Sequence, residues 1–256
     1  MLEAHHLVKR FFGIPALKDV SFVVRPGEIL GYLGPNGSGK TTTTRILTGL
    51  LESSSGTVTF HGRDIRDDLI GFRRRLGYVP DEPHLYPFLS GREFLEFVGR
   101  LRDVPASLLD RKIQSMFELF SLSDAASESL NAYSRGMKQK ILIIAALLHD
   151  PDILILDEPE SGLDVTAALV LRELMRILAA QGKAILYSSH VLEVVEQLCG
   201  RVVVLDHGSV VAHESIDYLR NLVASNSLEG VLSRLLLRMD PERRARDIAE
   251  VVALHE

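Results

Sequence analysis

The run Gly34-Pro35-Asn36-Gly37-Ser38-Gly39-Lys40-Thr41 constrains this chain more than any other stretch. It satisfies G-x-x-x-x-G-K-[ST] at every fixed position, the pattern of a loop that cradles nucleotide phosphates. Its glycines let the backbone approach an anion with no Cβ in the way, so successive N–H groups converge as a nest. The flanks agree. Glu28 to Leu33 reads as a buried strand entering the loop, and Thr41 to Leu50 as the helix leaving it, with its positive end toward the same charge. Lys40 is expected to reach the β- and γ-phosphates, and the Thr41 hydroxyl to ligate Mg²⁺. A glycine-rich turn without a ligand would need neither the lysine nor this strand–loop–helix order. A nucleoside triphosphate is the expected ligand.

Around this loop the pattern is α/β. Leu2 to Phe60 is mostly strand-like, with Val20-Ser21-Phe22-Val23-Val24 and Thr57-Val58-Thr59-Phe60 as candidates and Pro26-Gly27 as a turn. Leu76-Gly77-Tyr78-Val79 is a further short strand. After Pro80 the texture becomes helical. Ser90-Gly91-Arg92-Glu93 has the form of a capping box ahead of Phe94, Leu95, Phe97, Val98 and Leu101. Leu108 to Phe120 is amphipathic, and a third helix is expected over Gly136 to His149, stopped at Asp150-Pro151. The α/β alternation then resumes: strand Ile153–Leu156, helix Val165–Gln181, strand Ala184–Ser188 and helix Val191–Leu198. A hairpin of Val202–Leu205 and Ser209–Ala212 follows around Asp206-His207-Gly208. The tail from about 214 is expected to be helical, with Asp240-Pro241-Glu242 opening a last helix. The expected organisation is a nucleotide-binding core over 1–82 and 151–213, a helical insertion over 83–150, and a helical tail over 214–256.

Ile153-Leu154-Ile155-Leu156-Asp157-Glu158 is an apolar strand ending in two carboxylates, at the end of the sheet where ligands bind in open α/β folds. Asp157 is therefore placed to hold Mg²⁺, and Glu158 to act as general base toward the water that attacks the γ-phosphate. His190 also follows a strand, and is read as a γ-phosphate contact that orients this water. The longest apolar run, Ile141 to Leu148, is far short of the roughly 20 residues that a membrane-spanning helix requires. The first residues lack the basic and apolar regions of a secretory signal. Cys199 is the only cysteine, which excludes an internal disulfide. The net charge of −5 offers no basic field for nucleic acid.

Taken together, these features resemble the nucleotide-binding subunit of an ATP-binding-cassette (ABC) transporter, from Phe11 to about His213. The diagnostic element is Tyr133-Ser134-Arg135-Gly136-Met137, which is similar to the family signature, most commonly Leu-Ser-Gly-Gly-Gln; Ser134 and Gly136 match. The resemblance implies an α/β P-loop NTPase (RecA-like) core with a mostly parallel sheet, an antiparallel N-terminal β part and an inserted helical subdomain. It implies ATP and Mg²⁺ as cofactors. Gly34 to Thr41, with Thr42, would bind the phosphates, and Phe11 would stack on adenine, with Phe12 as the fallback. Ser134, Arg135 and Gly136 would contact ATP bound to the opposite subunit of a head-to-tail dimer. Ser161-Gly162-Leu163-Asp164 would pass between the subunits. The family usually has glutamine where Asp81 stands; Asp81 could serve as a metal ligand, or Glu82 could take its place.

The form Tyr-Ser-Arg-Gly-Met-Lys-Gln-Lys, with an acidic residue after Val79-Pro80, looks most like cassettes of ABC-2 exporters. The implied partners are a second ATP-binding subunit, a like copy ahead of a different cassette, and separate membrane permeases. The implied place is the cytoplasmic face of the cell membrane, with ATP hydrolysis driving export. A soluble ABC ATPase acting on ribosomes or DNA is the alternative, disfavoured by the single cassette, the acidic charge and the lack of a cysteine cluster. A regulatory cassette of low activity is disfavoured by Glu158 and His190.

Overall fold

A computed structural model describes residues 1–223 together with 227, 228 and 230. The chain opens with strands β1 (Leu2–Phe11), β2 (Ile14–Val24) and β3 (Ile29–Leu33), then helix α1 (Lys40–Leu47). Strands β4 (Ser55–Phe60) and β5 (Arg63–Asp64), helix α2 (Leu69–Arg74) and strand β6 (Leu76–Val79) follow. Three helices come next: α3 (Gly91–Leu101), α4 (Ala106–Leu119) and α5 (Arg135–Leu147). The rest alternates: β7 (Ile153–Asp157), α6 (Val165–Ala180), β8 (Ala184–Ser188), α7 (Leu192–Leu198), β9 (Arg201–Asp206), β10 (Ser209–Ser215) and α8 (Ile216–Val223).

Among the described residues, ten strands join one sheet in the order β5-β4-β1-β2-β10-β9-β3-β8-β7-β6. From β9 to β6 the pairing is parallel, and from β5 to β2 it is antiparallel. Strand β10 is the seam, antiparallel to β9 and touching β2 at Ser209 and Asp19. The composition of the strands explains the division. Every residue of β3, β7 and β8 is buried, as in parallel strands covered on both faces. In β1 and β2 buried and exposed residues intermix, as in strands with one wet face.

The β9–β10 turn is the two-residue His207-Gly208, both at positive φ (45° and 78°), the conformation that suits a type I′ hairpin. This hairpin runs further than the sequence pattern indicates: Glu214 and Ser215 still pair with Val202 and Arg201. The tail is therefore a strand to Ser215 and becomes helical only at Ile216. The expected helix at Asp240-Pro241-Glu242 lies outside the described residues.

Among the described residues three apolar clusters form. One joins α5, α6 and α7 to one sheet face, and a second joins α1 and the antiparallel strands to the other. The third lies within α3, α4 and α5, around Phe94, Leu95, Ile113, Phe117 and Ile141. Helix α3 starts with the capping box read from the sequence. Ser90 Oγ accepts the Glu93 N–H at 3.2 Å, and the Ser90 N–H reaches Glu93 Oε2 at 2.8 Å.

Candidate active site

The parallel strands β3, β7 and β8 end side by side, and their carboxyl ends deliver the residues of one cleft of about 520 Å³. Its lining includes Asn36, Gly37, Gly39, Lys40, Thr41 and Thr42 from the loop after β3, and Asp157 and Glu158 from the end of β7. His190 after β8 and Asp81 after β6 face the same space, with Arg135 and Ser161.

The loop requires its glycines at two points. At Gly34 (φ +156°) a Cβ would stand 2.3 Å from the Leu205 carbonyl oxygen, and at Gly39 (φ +109°) 2.9 Å from that of Ala16. Behind the loop the buried Tyr32 hydroxyl donates to Thr43 Oγ1 at 2.9 Å, and Thr43 Oγ1 donates to the Gly39 carbonyl at 3.0 Å. Ser38 Oγ is buried and has no hydrogen-bond partner among the described residues. Lys40 Nζ donates to the Gly34 carbonyl at 2.6 Å and to that of Pro35 at 3.2 Å, so the ammonium lies folded against the loop. Burial lowers its pKa, opposed by Glu158, Asp157 and Asp81.

Asp157 is only 3% exposed. Burial raises its pKa, helped by the like charge of Asp81 and opposed by the Ser188 and Thr44 hydroxyls and by Lys40. Glu158 adopts φ +49°, rare for a residue with a Cβ, and its N–H is tied to the Ser188 carbonyl at 3.0 Å. Its carboxylate Oε2 lies 2.8 Å from His190 Nδ1. Burial raises the Glu158 pKa, and the hydrogen bond and charge of His190 partly offset this.

These carboxylates also bear on a metal. Asp81, Asp157 and Glu158 face one cleft, where a divalent cation would relieve their repulsion and the desolvation of Asp157. Among the described residues no group of three or more His, Cys, Asp or Glu side chains forms a ready-made metal site. That donor set fits Mg²⁺, which characteristically takes one or two protein oxygens and completes its shell with phosphate and water.

Not every residue singled out from the sequence lies in the cleft. Phe11 sits at the end of β1 across from Ile14, with Lys9 Nζ 5.2 Å over its ring, and Phe12 projects into solvent; neither lines the cleft. Ser134 caps α5, its Oγ accepting the Met137 N–H at 3.2 Å, and Gly136 packs so tightly on the Gly162 carbonyl that a Cβ would come within 2.5 Å. Neither lines the cleft, whereas Arg135 does and donates to Ser161 Oγ. Leu163 packs against the core, and Asp164 caps α6 by accepting the Ala167 N–H at 2.8 Å.

Two supports of the site had no sequence signal. Gln139 Nε2 donates to the Pro159 carbonyl at 3.0 Å, and Glu160 pairs with Arg172 and Tyr187. Their partners lie between 12 and 27 residues away, beyond any local spacing.

The acidic cleft gives one prediction. As pH falls through the raised pKa of Glu158, a base at this position becomes protonated and ATP hydrolysis declines. His190→Ala removes an interaction that lowers this pKa, so the acidic limb of the rate profile should move to higher pH. Measuring phosphate release across pH for both proteins checks it, and an unmoved limb refutes it.

Comparison with known proteins shows the family. Residues 17–161 match the family model described as ABC transporter. An ABC transporter ATP-binding protein of Nostoc sp. is 39% identical over 208 residues, which is 80% of this chain and 62% of that protein. The Nod factor export ATP-binding protein I of Ralstonia nicotianae is 36% identical over 222 residues, 85% of this chain and 69% of that protein. Among solved structures, an ATP-binding subunit of an ABC transporter superposes with a TM-score of 0.88 at 33% identity, covering 93% of this chain and 100% of that one. A dimeric ATP-binding cassette in a post-hydrolysis state with ADP and Pi gives 0.78 at 25% identity, covering 84% and 99%. With a phosphate loop, a carboxylate pair and a flanking histidine assembled on this sheet, the chain belongs to the ABC transporter family as one of its ATP-binding cassettes, a family of ATPases.

Proposed function

We propose that this chain hydrolyses ATP to energise export through a separate membrane permease, working as a head-to-tail pair of cassettes that closes on ATP and reopens after hydrolysis. The observation that carries this reading is the Glu158–His190 contact of 2.8 Å in a cleft shared with Lys40, Thr41 and Asp157. The loop N–H groups and Lys40 bind the phosphates. Thr41 and Asp157 would hold Mg²⁺, with Asp81 beside them, and bound Mg²⁺ supplies neutralisation of the phosphate oxygens. Glu158 accepts a proton from the attacking water. His190 fixes the direction of that carboxylate through their contact.

The pairing explains Ser134 and Gly136. They begin a helix whose N–H groups and dipole suit an anion, yet neither lines its own cleft, which favours a phosphate held by the second copy. The dimeric post-hydrolysis neighbour supports this arrangement. Export is supported by the Tyr133–Lys140 signature form and by the Nod factor export relative. On this reading 1–82 and 151–213 form the nucleotide core, and 83–150 transmit its movement to the permease at the cytoplasmic membrane face. Phe88, 92% exposed, and Tyr86, 57% exposed, are the proposed contacts. Among the described residues no helix is long and apolar enough to cross a membrane.

Light scattering tests the pairing. Glu158→Gln held with ATP is expected at twice the 28.4 kDa of one chain, and with Ser134→Arg added it should return to that single mass. A single mass throughout refutes the closed pair.

A further inference from the structure

The segment Glu158-Pro159-Glu160-Ser161 is held at every residue. The Glu158 N–H goes to Ser188, the Pro159 carbonyl to Gln139, and Ser161 Oγ to Arg135. Glu160 has the firmest attachment. Its Oε1 accepts from Arg172 Nε at 2.8 Å, its Oε2 from Arg172 Nη2 at 2.6 Å, and Oε1 also accepts the Tyr187 hydroxyl at 2.7 Å. Such a forked pair fixes direction as well as distance. Tyr187 is fully buried in β8, and its neighbour Ser188 is the residue that takes the Glu158 N–H. Glu160, for its part, does not line the cleft.

We infer that Glu160, Arg172 and Tyr187 form a positioning clamp that sets the Glu158 carboxylate, so that they govern the rate of hydrolysis without touching ATP. Glu158 sits between two fastenings to adjacent residues of β8: its own N–H on Ser188 and, two residues later, the Glu160 carboxylate on Tyr187. Its left-handed backbone, at φ +49°, is uncommon for glutamate and persists only where the surroundings over-determine it. Releasing the second fastening lets this backbone relax and turns the carboxylate away from the attacking water. Burial raises the Tyr187 pKa, which keeps the hydroxyl a donor to Glu160.

The inference rests on Glu158 being the base, and the experiment separates the two. Tyr187→Phe removes one oxygen and leaves the ring; Glu160→Gln weakens the fork. Both are compared with Glu158→Gln for ATP affinity, maximal turnover and thermal midpoint. Misplacement of a catalytic group by about 1 Å costs up to roughly 100-fold, so turnover should fall about 10-fold or more in each clamp variant. ATP affinity should stay within about twofold, since no phosphate contact changes. Because the clamp acts as one unit, the double variant should be no slower than about the slower single variant. If Glu160→Gln does not fold, Tyr187→Phe alone decides. Normal turnover in the folded clamp variants, or affinity falling in step with turnover, overturns the clamp. Normal turnover in Glu158→Gln instead overturns the assignment of the base.

Discussion

Glu158→Gln is expected to lower ATP turnover by roughly 100-fold or more, the scale of a lost general base, while ATP binding survives. The substitution is nearly isosteric, and the amide can still meet His190 Nδ1 where the carboxylate does at 2.8 Å. It cannot accept a proton. Burial raises the Glu158 pKa without any direct bond to the phosphate loop, so removing the charge takes away basicity and leaves the loop and Lys40 in place. The neutral side chain also relieves repulsion with Asp157 and Asp81, which favours retention of a negatively charged nucleotide. Nucleotide titration and steady-state phosphate release on one preparation check both halves. Normal hydrolysis by the variant would remove Glu158 from the mechanism.

The parts of this site that could be read from the sequence are those built by consecutive residues. Glu28 to Thr41 carries its own strand, turn and helix start, and Ile153 to Glu158 carries its own apolar run and terminal carboxylates. The capping box at Ser90–Glu93 is legible for the same reason: donor and acceptor are three residues apart. The strand Val20–Val24 proves to be the end of a longer one, Ile14–Val24, because irregular register between β1 and β2 blurs the alternation that would mark it. Helix α2 carries too few residues for periodicity to show. The clamp of Glu160, Arg172 and Tyr187 depends on a loop, a helix and a strand meeting in space, and no spacing encodes that meeting.

Lys40→Ala should differ from Glu158→Gln in kind, because it removes the cation that holds the phosphates rather than the base that acts on them. A hydrogen bond to a charged group contributes about 1.5–3 kcal/mol, so ATP affinity should weaken roughly 10- to 100-fold. Hydrolysis should fall further, by about 100- to 1000-fold, since the same ammonium meets the charge that develops on the γ-phosphoryl oxygens. The fold should tolerate the change. Lys40 donates only to the carbonyls of Gly34 and Pro35, and its ammonium is partly desolvated, so the free protein loses little with it. The cleft without Lys40 would hold Asp81, Asp157 and Glu158 with Arg135 as the guanidinium that lines it, tied to Ser161. Three carboxylates against one tethered cation repel a triphosphate, and added Mg²⁺ should recover part of the affinity by screening them. Fluorescent-nucleotide titration with and without Mg²⁺, alongside thermal unfolding, separates these effects. Undiminished ATP affinity in a folded Lys40→Ala protein would mean that the triphosphate does not lie on this loop.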